Sequence, residues 1–353
     1  MIKIKIIKLL LKSRRRPFLV KKNKLYIKIK NSAKYHIQNF GNKNSNKIFY
    51  VIKRFRGGGL FSNLLYVLNH LIYADKLNAI PIVDMENFTN FYSEKNKIKG
   101  TKNSWLYYFE QVSKYNLKEV YKSKLVILSD DKPDSNMSLS YKQNKKALYK
   151  VFKKYIKVKK EYLKEANKFI KENFKNKKTL GVHWRGTDHK VLPNHPFPPT
   201  KKQILTLVEK VLNKHKFKKI FLITEEKNYL EVFKKKFKSK VCYFNSFRSD
   251  SRKDFVTNER KNHNYKLGYD SLIEVLILSK TNMLVCSRSN IAEAAVFFSN
   301  KKHYKVHEIF NGFNSESIFF SLFLWHLKIF LPPFLGGFKV DGVSINTIYK
   351  KIK

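Results

Sequence analysis

The sequence predicts an α/β protein built from two Rossmann-like domains that face one another across a cleft. Two observations predict it. Short apolar runs of β type alternate with helical patterns from about residue 47, pause over residues 86–146, and resume more regularly after about residue 175. Polar clusters then stand where those apolar runs end, and in open α/β sheets ligands bind beyond the carboxyl ends of the strands.

In order along the chain, "KIFYVIKRF" reads as a strand, "GGGLFSN" as a turn, and Leu60 to Lys76 as a helix. Its Leu64, Val67, Leu68, Leu71 and Ile72 fall at helical spacing, and "IPIVD" follows as a second strand. This order implies parallel strands joined by a right-handed crossover. Residues 86–146 are aromatic and irregular, and "SDDKPDSNMS" is read as a loop. One long helix is expected from Ala147 to Phe174. Beyond it, strands are read at "TLGVHWR", "KKIFLITE", "KVCYFN" and "NMLVCS", with helices near 201–215, 228–237, 268–279 and 290–299. The resulting division is a basic extension (1–45), an N-terminal α/β domain (46–175), a C-terminal Rossmann-like domain (176–310), and a closing helix with tail (311–353).

Composition bounds the function without selecting it. The chain has 353 residues and 43% hydrophobic content, enough for two real cores. Lys and Arg total 74 against 26 Asp and Glu, a net charge of +48. The excess is mostly lysine spread over the whole chain, with no basic helix stripe and no aromatic stacking motif, so a nucleic-acid-binding role is not expected. A phosphate-bearing substrate would still be concentrated by such a field. Cys242 and Cys286 lie in apolar runs and read as buried free thiols, which points to a reducing, cytoplasmic compartment. The N-terminal "MIKIKIIKLLLKSRRRPF" lacks a cleavage site and is interrupted by lysines. It is either a solvated tail or edge strand, or a short basic helix with Ile2, Ile6, Leu9 and Leu10 on an anionic membrane face. "SIFFSLFLWHLKIFLPPFLGG" is the most apolar run, yet His326, Lys328 and Pro332–Pro333 leave it short of the ~20 residues a spanning helix needs. A packed closing helix is expected there, with an interfacial anchor as the second reading.

Four strand ends carry candidate site residues. The first is Gly57, Gly58 and Gly59 with Ser62 and Asn63, where glycine permits close backbone approach and φ > 0. The second is His183, Arg185, Thr187 and Asp188. The third is Thr224, Glu225 and Glu226, and the fourth is Ser287, Arg288, Ser289 and Asn290. At the fourth, Ser289 or Asn290 caps the next helix and Glu293 stands at a capping-box position, leaving free N–H groups for a phosphate or for water. "HWRGTD" is the sharpest cluster. Arginine offers a permanently charged planar fork that grips phosphate with two hydrogen bonds, and Asp188 either holds that fork or accepts a proton.

These runs resemble the fucosyltransferase superfamily of α-1,6-fucosyltransferases, nodulation fucosyltransferases and protein O-fucosyltransferases. "GVHWRGTDHK" is similar to the family's His-x-Arg-Arg-Thr-Asp-Lys signature, and "RGGGLFSNLLYVLNHLIYADKLNAIPIVD" to its Gly-rich first turn and helix. "IFLITEEKNYLEVF" resembles its Thr-Asp-Asp strand end, and "SLIEVLILSKTNMLVCSRSN" its last nucleotide-binding strand. The likeness covers roughly residues 50–85 and 178–300. It implies a GT-B fold and metal-independent, inverting transfer from GDP-fucose, with no cofactor; the expected acceptor is a glycan or glycolipid, in surface-glycan synthesis at the inner membrane face. It also implies that Arg185 binds the β-phosphate and stabilises the leaving group, with His183 and Glu274 beside the nucleotide. Thr224 and Glu225 mark the Thr-Asp-Asp position, Ser287, Ser289 and Asn290 meet phosphate or ribose, and Gly58, Gly59 and Asn63 line the opposite wall.

Three departures stand out. Gly186 replaces the signature's second arginine, so phosphate binding borrows Arg288, Arg56 or a lysine. "VLPNHP" replaces the stretch with the expected carboxylate base, leaving Asp188, His189, His195 and Glu225 open. The acidic pair has become Glu225 and Glu226. Trp105, Tyr107 and Tyr108 are read either as an acceptor platform or as core. The alternatives are a metal-dependent GT-A transferase using Asp84 and Glu86, a non-catalytic sugar-nucleotide binder, and a basic nucleic-acid-binding protein.

Overall fold

The structure, a computed structural model, describes residues 37–54, 58–129, 145–299, 301 and 304–339, and the backbone of 345–349. The expectations for the N-terminal segment, for Arg56 and Gly57, and for most of "SDDKPDSNMS" lie outside the described residues. The chain forms two compact units. One holds the described residues up to Ala166 together with Glu259–Ile273; the other holds Asn167–Asn258 and Glu274 onward.

In the N-terminal unit, strands β1 (Ile37–Gln38), β2 (Lys43–Lys53), β3 (Ile80–Asp84) and β4 (Ser123–Leu128) form a sheet in the order β1-β4-β2-β3. β2 runs parallel to both β3 and β4, and β1 is an antiparallel edge. Helix α1 (Leu60–Lys76) makes the crossover from β2 to β3, as its apolar spacing predicts. β4 lies within the stretch expected to be irregular. Its alternation is short, but Val126 joins Phe49, Val51 and Ile82 in the core and Ile127 is buried too. The short helix α2 (Leu117–Val120) precedes it, capped by Asn116 Oδ1 on the Glu119 N–H.

The long helix expected over 147–174 is two helices, α3 (Lys145–Tyr155) and α4 (Lys160–Phe174). The break has a physical cause. Backbone at 157–159 pairs instead with the aromatic segment: Glu110 N–H donates to Lys157 O, Lys159 N–H donates to Tyr108 O, and Phe109 bridges Val158. Trp105, Tyr107 and Tyr108 belong to that segment and are buried. The Trp105 indole donates to Glu110 O at 3.0 Å and the Tyr108 hydroxyl to Tyr265 O at 2.8 Å. They are core, and the acceptor-platform reading is corrected accordingly.

The C-terminal unit holds β5 (Thr179–His183), β6 (Lys219–Ile223), β7 (Val241–Cys242), β8 (Met283–Ser287), β9 (Lys305–Ile309) and β10 (Ile345–Tyr349). Helices α5 (Lys201–His215), α6 (Lys227–Phe237), α7 (His263–Leu278), α8 (Asn290–Phe298) and α9 (Ile318–Phe330) connect or follow them. The sheet order is β10-β9-β8-β5-β6-β7, parallel except for the antiparallel edge β10. β5 starts at the middle and the chain winds outward first to β6 and β7, then back to β8, β9 and β10. This is the doubly wound arrangement, with its switch point between β5 and β8. β9 and β10 were not anticipated from the apolar pattern.

Both faces of β5 are covered, and its two faces use different devices. Leu180, Val182 and Trp184 point into one core with Ile204, Val208, Leu222 and Phe233. On the other face Gly181 leaves room for the end of α7: a Cβ there would meet Thr281 Oγ1 at 2.5 Å and Leu278 Cδ1 at 2.7 Å. α5 begins with a full capping box, in which Thr200 and Gln203 satisfy each other's backbone N–H groups. Cys242 and Cys286 are free and buried, as expected, and burial raises both thiol pKa values, that of Cys242 to about 11.

Candidate functional site

The polar strand ends of the C-terminal unit converge at the switch point. The Arg185 N–H donates to Ser287 Oγ at 3.0 Å, and Ser287 Oγ donates to His183 O at 3.3 Å. Ser287 therefore staples the end of β5 to the end of β8. Trp184, between the two polar residues, turns the other way. Its ring lies flat on Tyr229 with centroids 3.5 Å apart, and its indole donates to Pro199 O at 3.0 Å. Alternation along an extended chain then sends His183 and Arg185 to the opposite side.

The Arg185 guanidinium is largely shielded and held between two carboxylates. Nη1 donates to Glu225 Oε1 at 2.8 Å, and Nη2 donates to Asp188 Oδ1 and Oδ2 at 2.9 and 3.0 Å. Glu225 comes from the end of β6 and Asp188 from a 3₁₀ turn over Thr187–Lys190, so two elements fix the fork. His183 is fully buried, and its Nδ1 lies 3.1 Å from Ser289 Oγ. Burial, helped by the Arg185 charge, lowers its pKa to about 3, so it is a neutral imidazole at neutral pH.

Helix α8 starts beside these groups. Ser289 is its N-cap and accepts from the Ala292 N–H at 3.2 Å. With Ser289 in that role, Glu293 falls one residue beyond the capping-box position, which corrects the expected box. The N–H groups of Asn290 and Ile291 belong to the first turn, where helix geometry supplies no partner within the helix. A phosphate at this point would meet them and the positive end of the helix dipole.

The remaining predicted residues are placed as follows. Thr224 is buried at the end of β6, where Oγ1 accepts from the Glu226 N–H at 3.3 Å. Arg288 is turned onto Glu308, with Nε at 2.9 Å from Oε1, and lies 4.0 Å over the Phe310 ring. Glu274 is buried and accepts from Ser246 Oγ at 2.6 Å and Arg248 Nη2 at 3.1 Å. Arg248, in the loop after β7, is buried too, and its Nε has no hydrogen-bond partner. Sequence reasoning passed over it, because an arginine in an irregular loop carries no periodic signal.

Lys190 was also missed, and it bears on the departure at Gly186. A Cβ on Gly186 would lie 2.0 Å from Glu226 Oε1 and 2.7 Å from Tyr229 Cε2. That same Glu226 oxygen accepts from Lys190 Nζ at 2.7 Å. The space a side chain at 186 would enter is thus filled by a buried carboxylate with a lysine on it. Lys190 also lies 4.8 Å from the Tyr229 ring centroid.

Of the four groups left open as base, Asp188 and Glu225 are both bound to Arg185. His189 is buried, and burial, Arg185 and the neighbouring histidines hold its pKa well below the usual value. The ring of His195 is half-buried, and its Nδ1 donates to Pro193 O at 2.8 Å. A carbonyl only accepts, so Nδ1 carries the proton and Nε2 of the neutral ring is an acceptor.

In the N-terminal unit, Gly58 and Gly59 are exposed after β2. Gly59 has φ −56° and ψ 162°, and a Cβ there would make ordinary contact with the Tyr92 hydroxyl at 3.7 Å. Neither glycine adopts the left-handed conformation the sequence suggested. Asn63 is buried and its Oδ1 accepts from Arg54 Nε at 3.4 Å. Asp84, the candidate metal ligand, is fully buried and accepts from the backbone of Glu86 and Asn87, the Asn87 amide and the Tyr121 hydroxyl. Four donors engage its two oxygens in a turn-forming role.

No family model matches the chain, and no curated protein matches it. Solved structures do. NodZ α-1,6-fucosyltransferase co-crystallised with GDP aligns at TM-score 0.50 and 15% identity, covering 75% of this chain and 96% of that one. Fucosyltransferase NodZ from Bradyrhizobium aligns at 0.46 and 16% identity, covering 74% and 95%. POFUT1 in complex with GDP aligns at 0.42 and 12% identity, covering 72% and 95%. The first likeness is one of fold: this chain has the α/β architecture of a GT-B fucosyltransferase.

Proposed function

We propose that the protein is a metal-independent, inverting glycosyltransferase that moves fucose from GDP-fucose to a glycan acceptor. The observation that carries this reading is the Arg185 fork, fixed at the switch point beside the start of α8. Departure of a sugar from a diphosphate builds negative charge on the leaving oxygen, and a preorganised cation there lowers the barrier most. Arg185 supplies that charge, and Ser289 with the α8 N-terminus receives the other phosphate. His183, neutral and hydrogen-bonded to Ser289, positions that serine.

Lys190 carries the second positive charge that Gly186 does not. The diphosphate competes with Glu225 and Glu226 for the two cations, so donor binding exchanges carboxylate partners for phosphate oxygens. His195 Nε2 takes the acceptor hydroxyl's proton. Release of GDP from GDP-fucose, measured with acceptor glycans in EDTA, tests the assignment. Arg185→Ala is expected to lower turnover by about 100-fold or more, and Lys190→Ala to weaken donor binding. Near-wild-type turnover in a folded Arg185→Ala protein would sink the role given to Arg185.

A further inference from the structure

Helix α9 packs against its unit with the wrong side out for a water-facing helix. Ser321, Leu324, Trp325 and Lys328 are buried, at the i, i+3, i+4, i+7 spacing of one helix face. The inward face includes the helix's one lysine: Lys328 Nζ donates to Gly336 O at 2.5 Å, with the Phe197 and Phe338 rings 5.7 and 5.5 Å away. The outward face carries Ile318, Phe319, Leu322, Phe323, Ile329 and Phe330. Phe319 is 69% exposed, Leu322 54% and Phe330 84%. Phe334, in the turn that follows, is 81% exposed. The face is roughly 20 Å long at the rise of an α-helix and apolar apart from the exposed His326 near its middle, and exposed apolar surface of this kind marks an interaction face.

We infer that this face of α9 lies in the interfacial layer of an anionic lipid membrane. Charge chooses the occupant. The chain carries +48, so it is drawn to a negatively charged surface, and two copies of it repel one another. The outward face of α9 holds no acidic side chain. The helix has 13 residues, and no helix among the described residues is long and apolar enough to cross a membrane, which leaves an in-plane arrangement. Phenylalanines and aliphatics enter the acyl boundary, and the chain's net positive charge favours anionic headgroups. This inference is independent of the donor assignment, which nucleotide binding tests separately.

The test is cosedimentation of the full chain with vesicles of phosphatidylcholine alone and of phosphatidylcholine with phosphatidylglycerol. The protein is expected to pellet with the anionic vesicles. Phe319→Ser, Phe323→Ser and Phe330→Ser together are expected to weaken that binding by about ten-fold or more, with the melting temperature unchanged because all three side chains are exposed. A second readout uses Phe323→Trp, whose emission brominated lipids should quench against a background of three buried tryptophans. Equal vesicle binding by the triple variant, or an unquenched Trp at that position, would overturn the inference. So would a dimer that the triple variant abolishes while vesicle binding is absent, which would give the face to a second copy.

Discussion

His183 shows how one buried side chain ties the site to stability. In the unfolded chain it takes up a proton near pH 6.5, but in the fold only near 3, because burial and Arg185 disfavour the cation. Between those values the unfolded state binds more protons, so the stability His183 contributes is complete above about pH 6.5 and is lost as pH falls toward 3. His189 and His307 are shifted in the same direction. The melting temperature is therefore expected to drop from about pH 7 to about pH 5, above the ordinary carboxylate range; Glu293, raised by burial and Glu308, acts in the opposite sense. His183→Gln should flatten part of that drop, and a melting temperature constant over this range would contradict the burial. His183, Arg185, Ser287 and Ser289 were legible because polar groups ending apolar runs stand out. Lys190 was not, because one lysine among so many carries no mark until the fold puts it on Glu226.

Elements were legible where one periodicity ran long enough to be read. α1 and the central strands β5, β6 and β8 follow their apolar patterns, since each buries the residues that define the pattern. The break between α3 and α4 was hidden, because the helical spacing continues while the backbone bonds to a segment about 50 residues away. β9 was hidden for a different reason, since Lys305, His307 and Glu308 leave it only two apolar residues, and β4 because its short run Leu125–Leu128 follows an aromatic, irregular stretch. Gly181 belongs to this scale, since it sets how closely α7 approaches β5. Gly181→Ala would force Thr281 and Leu278 aside and is expected to cost about 1–3 kcal/mol. Chemical denaturation would read this as a lower midpoint at unchanged slope; an unchanged midpoint would show that the α7 end yields freely.

At the scale of the whole molecule, the chain divides into two α/β units and carries a net charge of +48. The fold was readable from the alternation of elements, and the solved NodZ structure supports it at a TM-score of 0.50. That Glu259–Ile273 count with the N-terminal unit was not readable, because nothing local in those residues records which core they join. The central claim is that the switch point between β5 and β8 holds a guanosine diphosphate sugar without a metal. It is tested most directly by the melting temperature in EDTA with GDP, GDP-fucose, UDP or no nucleotide. Ligand binding to the native state alone adds about 2.7 kcal/mol at a hundred-fold excess over Kd. GDP and GDP-fucose are expected to raise the melting temperature by several degrees and UDP far less, with the rise lost in Arg185→Ala. No rise with either guanosine nucleotide, or a rise only after Mn²⁺ is restored, would contradict the account.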